Sequence, residues 1–187
     1  VTLITLVRHG QTDWNLEGRI QGSTDVPLND TGRRQAREAA ERLRDDDYSL
    51  AVTSPLSRAV ETAEIIAGAL GLGAPERIAG LAERVYGDAE GASVDQLSLL
   101  FPHTIPGAEP EADVVTRIRA TLRDLAMRFP DERIVAASHG GVIGRLLRDL
   151  HGGEMPVPGG RVTNGSIWRF EVTPESLAFD GSVLLAD

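Results

Sequence analysis

The chain has 187 residues, room for one domain with a sizeable core, and its 41% hydrophobic and 25% charged residues are ordinary for a globular protein. A formal net charge of −9 argues against a nucleic-acid partner or an anionic membrane surface. The absence of cysteine excludes disulfides, iron–sulfur clusters and thiol nucleophiles, and without a charged leader or an apolar run of spanning length a cytoplasmic protein is expected.

Leu3, Ile4, Leu6 and Val7 make a nearly continuous apolar run, as in a strand covered on both faces. Arg8, His9 and Gly10 follow it directly. Such a strand delivers a cation and an imidazole to the carboxyl edge of a sheet, where open α/β proteins bind ligands; the same dipeptide also suits a solvated turn. The loop Gln11–Asn29 is rich in Gly, Asn, Asp and Pro and long for a structureless connection, which marks it as functional. Asn29 reads as an N-cap for a helix over Asp30–Asp45, with Ala36, Ala39, Ala40 and Leu43 on a narrow buried face.

Ser49–Thr53 is the second predicted strand, and Ser54-Pro55 opens a helix that runs to Leu70 and stops at Gly71. Arg58 in its first turn opposes the helix dipole. Either an anion lies nearby or the residue is a tolerated surface arginine. All 19 basic residues are arginine, so one arginine carries information only within a motif. Arg77–Ala79 is a weak strand candidate and Ser93–Leu100 a short helix. The helix Glu111–Phe129 has Val115, Ile118, Leu122 and Leu125 on one face and ends before Pro130. Arg133–Ser138 is a strand, and His139-Gly140-Gly141 leads into a helix over Val142–Leu150. After the Gly152–Gly160 loop, Ser166–Val172 and Leu177–Leu185 pair as a hairpin. The alternation of strand and helix predicts a single α/β domain over residues 1–187 with a mostly parallel sheet.

Arg8 with His9, Arg58, Glu83 and His139 thus stand at strand ends or helix starts that a parallel sheet gathers on one edge. Two guanidinium forks match phosphate oxygens, an imidazole can attack phosphorus, and a carboxylic acid can protonate a leaving alkoxide. The helix after His139 adds N–H groups and a positive dipole end.

The segments Leu6-Val7-Arg8-His9-Gly10-Gln11-Thr12 with Asn15, and Arg19-Ile20-Gln21-Gly22, resemble the signature of the histidine phosphatase (phosphoglycerate mutase-like) superfamily. Thr53-Ser54-Pro55-Leu56-Ser57-Arg58-Ala59, Leu81-Ala82-Glu83, Glu90-Gly91, Ser138-His139-Gly140-Gly141 and Asn164-Gly165-Ser166 fall in the family's order across almost the whole chain. The resemblance implies a three-layer α/β/α sandwich with a mostly parallel central sheet. It also implies a phosphomonoesterase acting on a small phosphorylated metabolite. In that reading His9 becomes phosphohistidine, and Arg8, Arg58 and His139 hold the phosphoryl group with Asn15 and Gly140. Glu83 is the proton donor, and no metal or cofactor is required. Gln21, Gly22, Arg84 and Tyr86 are the expected substrate contacts. Two cations beside His9 should lower its pKa and keep it neutral.

Three alternatives stand beside this one. His9, His139 and Glu83 are also a two-histidine, one-carboxylate set, although a dication gains nothing from adjacent Arg8 and Arg58. A catalytically silent phospholigand-binding protein would usually have lost the nucleophile or the acid, and both are present. Glu83-Arg84-Val85-Tyr86-Gly87 resembles the ERxYG pattern of cofactor-dependent phosphoglycerate mutases. Those enzymes carry a long insertion after it and a lysine; here Pro106-Gly107-Ala108-Glu109, which resembles their PGGES, follows soon after Tyr86, and lysine is absent. Specificity is expected to lie in Gln11–Leu28, Arg84–Pro110 and the loop near Met155–Pro158. Ala89 stands where small phosphatases often have an aromatic residue.

Overall fold

Alternating side chains along three strands build the centre of the protein. In the computed structural model, which describes residues 1–157 and 160–184, β1 (Thr2–Arg8) sends Ile4 and Leu6 to one face and Val7 to the other. β2 (Leu50–Thr53) divides Val52 from Ala51 in the same way, and β4 (Arg133–Ser138) divides Ile134 and Ala136 from Val135. With β3 (Glu76–Arg77), β5 (Ile167–Val172) and β6 (Leu177–Leu184) they form one sheet in the order β3-β2-β4-β1-β5-β6. β1 to β4 are mutually parallel, whereas β5 is antiparallel to both β1 and β6.

Helices cover both faces. α2 (Asp30–Leu43) and α3 (Ser57–Leu70) pack Ala39, Ala40, Leu43, Ile66 and Ala67 on one; α5 (Glu111–Arg128) and α6 (Gly140–Leu150) pack Ile118, Leu122, Ile143 and Leu147 on the other. This is the expected three-layer α/β/α sandwich. Among the described residues, no helix is long and apolar enough to cross a membrane.

Several local expectations change. The loop after β1 contains α1 (Asp13–Leu16), a single turn closed by a capping box in which Thr12 and Asn15 satisfy each other's backbone N–H groups. α3 begins at Ser57 with Leu56 as an extended N-cap, so Ser54 is not its cap; that hydroxyl serves the site below. In α5 the buried face runs 114–118–122–125, which places Val114 inside instead of Val115. Residues 79–81 wind into a 3₁₀ turn instead of extending the short β3, and the predicted Ser93–Leu100 helix is a 3₁₀ turn followed by α4 (Leu97–Leu100). Leu185 of the predicted hairpin and Pro158 of the predicted specificity loop lie outside the described residues.

The site is positioned by a divergence. β1 and β4 are neighbours with Arg8 opposite Ser138, yet the chain leaves β1 toward α2 on one face and leaves β4 into α6 on the other. A crevice opens where two adjacent parallel strands part in this way. Backbone bonds from His9 N to Ser138 O (3.0 Å) and from Ser54 N to Ala137 O (2.9 Å) hold three strand ends level around it.

Gly10 has no positive φ; its use is close approach. A Cβ there would lie 2.2 Å from the Gly32 carbonyl oxygen, and a Cβ on Gly32 would lie 2.2 Å from the Gln11 carbonyl oxygen. The loop leaving β1 therefore rests directly on the first turn of α2. Gly→Ala in a helix normally stabilises by about 0.5–1 kcal/mol, and Gly68 in α3, with open space around it, should follow that rule. Gly32→Ala should do the opposite and destabilise by about 1–3 kcal/mol through overpacking. Urea unfolding of the two variants checks the opposite signs.

Candidate active site

Two imidazoles occupy the carboxyl ends of β1 and β4. His9 is 2% exposed and His139 fully buried, with ring centroids 5.1 Å apart. His9 Nδ1 lies 2.7 Å from the Gly10 carbonyl oxygen. A carbonyl only accepts, so Nδ1 carries the ring proton and Nε2 keeps a free lone pair. His139 Nε2 lies 2.7 Å from Ser54 Oγ, and that oxygen accepts from Leu56 N at 3.3 Å. With the serine proton directed at Nε2, the ring proton of His139 sits on Nδ1, which is buried without a partner in the protein.

Two guanidiniums complete the cradle. Arg58 is 1% exposed and donates to the carbonyls of Gly22 (2.8 Å) and Thr24 (2.9 Å). Arg8 donates to the Val162 carbonyl. The Nε of each is buried and unpartnered. Among the described residues neither forms a salt bridge; backbone dipoles hold them in place of carboxylates. Burial draws Arg8 down to about 10, against the opposing pull of Glu83 and with the push of Arg58. Burial also lowers Arg58, opposed by Glu83, Asp25 and Glu90. His9 and His139 lie well below the usual imidazole value, first through burial and then through the two arginines.

Glu83 enters from the loop after the 3₁₀ turn, not from a strand end. Its Oε1 accepts from Arg84 N (2.8 Å) and its Oε2 from Gly141 N (3.0 Å), so one N–H at the start of α6 serves the carboxylate and is not left for a phosphate. The glycine pair makes the room: a Cβ on Gly140 would meet Arg8 Nε at 3.0 Å, and one on Gly141 would meet Glu83 Oε1 at 2.5 Å.

Asn15 and Gln21 contribute amides. The Thr12 backbone N–H donates to Asn15 Oδ1 (3.1 Å) and its hydroxyl to Gln21 Oε1 (2.9 Å), which turns both NH₂ groups away from Thr12. Asn164 Nδ2 also donates to Asn15 Oδ1 (3.1 Å) and to the His9 carbonyl (3.0 Å). Arg8, His9, Asn15, Gln21, Arg58 and Glu83 together line a cavity of about 260 Å³, with Gly22, Gly140 and Tyr86 on its wall. Ile20, Val94 and Val162 give the wall an apolar part. His139, fully buried behind His9, and Arg84 are not on the lining; Arg84 donates to the Glu109 carbonyl (2.8 Å) and to Glu111 (3.1 Å) and packs over Tyr86. Ala89 is buried off the lining, and His103 and His151 are exposed elsewhere. A larger groove of about 860 Å³ between α5 and α6 contains none of the imidazoles or phosphate-matched arginines. Among the described residues, no cluster of three His, Asp or Glu side chains is arranged to hold a metal ion.

Ser54, Thr12, Asn164 and Val162 escape a reading by charge and periodicity. The motif resemblance carries the only signal for three of them, since Thr12, Ser54 and Asn164 sit inside segments that resemble the family.

Neutral buried histidines tie stability to pH. Their folded pKa values lie below the 6.5 of a free imidazole, so unfolding takes up protons once the pH falls under that value. This stabilisation is complete above pH 6.5 and is lost as the pH falls toward the folded values. Urea midpoints between pH 7.5 and 5.5 should fall with a slope of up to about 1.4 kcal/mol per pH unit for each histidine. His139→Gln should remove one histidine's share of that slope.

Residues 4–182 match the family described as the histidine phosphatase superfamily (branch 1). The chain is 39% identical over 176 residues to "Uncharacterized phosphatase PhoE" of Bacillus subtilis (strain 168), covering 94% of this chain and 91% of that one. It is 34% identical over 161 residues to "Probable phosphoglycerate mutase GpmB" of Enterobacter sp. (strain 638), covering 80% and 74%. In structure it is similar to a mycobacterial glucosyl-3-phosphoglycerate phosphatase solved with VO₃, at TM-score 0.82 and 29% identity, covering 96% and 98% of the two chains. The family match over nearly the whole chain and the 39% identity to a phosphatase over 94% of it show that the chain belongs to the histidine phosphatase superfamily.

Proposed function

We propose that this phosphatase hydrolyses a small phosphomonoester through a phosphohistidine on His9. One observation carries the reading: His9, whose Nδ1–H is held by the Gly10 carbonyl, shares a cavity with the buried guanidinium of Arg58 and the half-buried Arg8, which no carboxylate among the described residues neutralises by direct contact. A phosphoryl group supplies the missing negative charge, and each charge-assisted bond to it contributes about 1.5–3 kcal/mol.

In this mechanism Arg8, Arg58, the Nδ1–H of His139 and the Asn15 amide take the non-bridging oxygens. They stabilise the charge that spreads over those oxygens in the transition state. The His9 Nε2 lone pair forms a bond to phosphorus as the bond to the leaving oxygen breaks, and Glu83 gives that oxygen a proton. Glu83 then takes a proton from water, whose oxygen attacks phosphorus and displaces His9 Nε2. Inorganic phosphate leaves and the enzyme is restored.

The cavity of about 260 Å³ suits a phosphoryl group with a small leaving group, of which Ile20, Val94, Val162 and Tyr86 would touch the remainder. Hydrolysis is favoured over return of the phosphoryl group to substrate. The Tyr86–Ala108 excursion is short and pinned by backbone bonds from Asp88 N to Pro106 O and from Glu109 N to Val85 O, which supports no long closing segment.

His9→Ala is expected to abolish the acid-labile phosphoenzyme together with turnover; activity within about tenfold of wild type, some 1.4 kcal/mol of barrier, would overturn the assignment. Glu83→Gln should slow alkyl phosphates far more than an aryl phosphate whose phenolate needs little protonation. Equal losses on both would leave Glu83 a structural cap on α6. With 3-phosphoglycerate and 2,3-bisphosphoglycerate both present, phosphate release should outrun formation of 2-phosphoglycerate.

A further inference from the structure

A second carboxylate near the site is fully committed to the protein. Glu90 Oε1 accepts from Ser23 N (2.8 Å), Ser23 Oγ (2.8 Å) and Tyr86 N (3.1 Å); Oε2 accepts from Thr24 N (2.9 Å) and Thr24 Oγ1 (2.6 Å). Five donors occupy a group with about four lone-pair sites. Glu90 is not among the cavity's lining residues, and nothing is left on it for a substrate or a transferable proton. Burial alone would raise its pKa, but the bonds from Thr24, Ser23 and Tyr86 outweigh burial and keep it a carboxylate.

The residues it holds are the ones that hold Arg58. Gly22 and Thr24 supply the two carbonyls on that guanidinium, at 2.8 and 2.9 Å. Gly22 has φ +55°, and a Cβ there would lie 2.2 Å from Glu90 Oε1, so the carboxylate fills the space a side chain would take. On the far side, Asp25 Oδ1 accepts from Ser57 N (2.8 Å) and Ser57 Oγ (2.7 Å), one residue before Arg58. The Gly22–Asp25 turn is thus fastened at one end by Glu90 and at the other by the start of α3.

We propose that Glu90 is a positioning residue for catalysis. By fixing the Gly22–Thr24 turn it aims the Arg58 guanidinium at the phosphoryl group. This rests on the phosphatase reading of the cavity. The two carboxylates then have different roles, Glu83 facing the leaving group and Glu90 acting only through Arg58.

The test uses the full chain, an aryl and alkyl phosphate series, and orthovanadate as a phosphoryl mimic. A wild type that neither hydrolyses the series nor is inhibited by vanadate would overturn the phosphatase reading itself. With an active wild type, Glu90→Gln should raise both KM and the vanadate inhibition constant by about tenfold or more, the value of a charge-assisted bond. The dependence of rate on leaving-group pKa should stay that of wild type. Gly22→Ala should give a similar loss, and the double variant should be no worse than the poorer single one. Thr24→Val, which deletes one hydroxyl donor, should give the same pattern on a smaller scale and carries the test if Glu90→Gln does not fold. Unchanged vanadate inhibition, a leaving-group dependence as steep as in Glu83→Gln, or multiplying losses in the double variant would each overturn the proposal.

Discussion

Burying a guanidinium costs several kcal/mol unless something replaces the water it gives up, and this protein buries Arg58 fully and Arg8 in part within one cavity. Arg8 and Arg58 repel each other, and both depress the two imidazoles between them. Carboxylates in direct contact would have relieved the cost and quenched the site. The protein instead uses backbone carbonyls from Gly22, Thr24 and Val162, whose partial charges orient the cations without neutralising them. Much of the architecture follows from that choice. The loop after β1 must fold back over Arg58, the segment after α6 must return to Arg8, and α6 must start on two glycines so that Arg8 and Glu83 fit against it.

The charge distribution acts on two length scales. The chain carries −9 overall, while three arginines and one glutamate line the cavity. At physiological ionic strength the screening length is about 8 Å, so an approaching anion is repelled by the surface as a whole and attracted only near the mouth.

Sequence patterns reveal the elements whose signal is local. β1 and β4 show as apolar runs that end on polar residues, and α2 shows through Asn29 and its alanine face. The Arg8, His9, Arg58 and His139 cluster follows from strand ends meeting on one edge. What stays hidden depends on contacts distant in the chain. Ser54 looks like a helix cap until His139, 85 residues on, is placed beside it. The motif resemblance assigns Arg84 to the substrate, but its neighbours Glu109 and Glu111 arrive from another segment and claim it. The α1 turn is concealed by its brevity, since one helical turn has no periodicity to detect, although Thr12 and Asn15 do carry the spacing of a capping box.

The backbone clasp that joins residues 85–88 to 106–109 has a consequence for how such a protein can change. Gly87 makes it possible, with φ +53° and a Cβ position only 2.1 Å from the Pro106 carbonyl oxygen, where no other residue fits. The clasp fixes the two ends of the intervening stretch whatever its contents. Doubling the length of a loop with pinned ends costs only about 0.6 kcal/mol in closure entropy. Glu90 to Val94 are tied to Arg19 and to the loop that holds Arg58. Beyond them, new material could be spliced between Leu97 and Ile105, near the cavity wall at Val94, with little effect on the sheet or the arginines. The fold carries a hinge-free socket in which the leaving-group side can be rewritten while the phosphoryl side stays as it is.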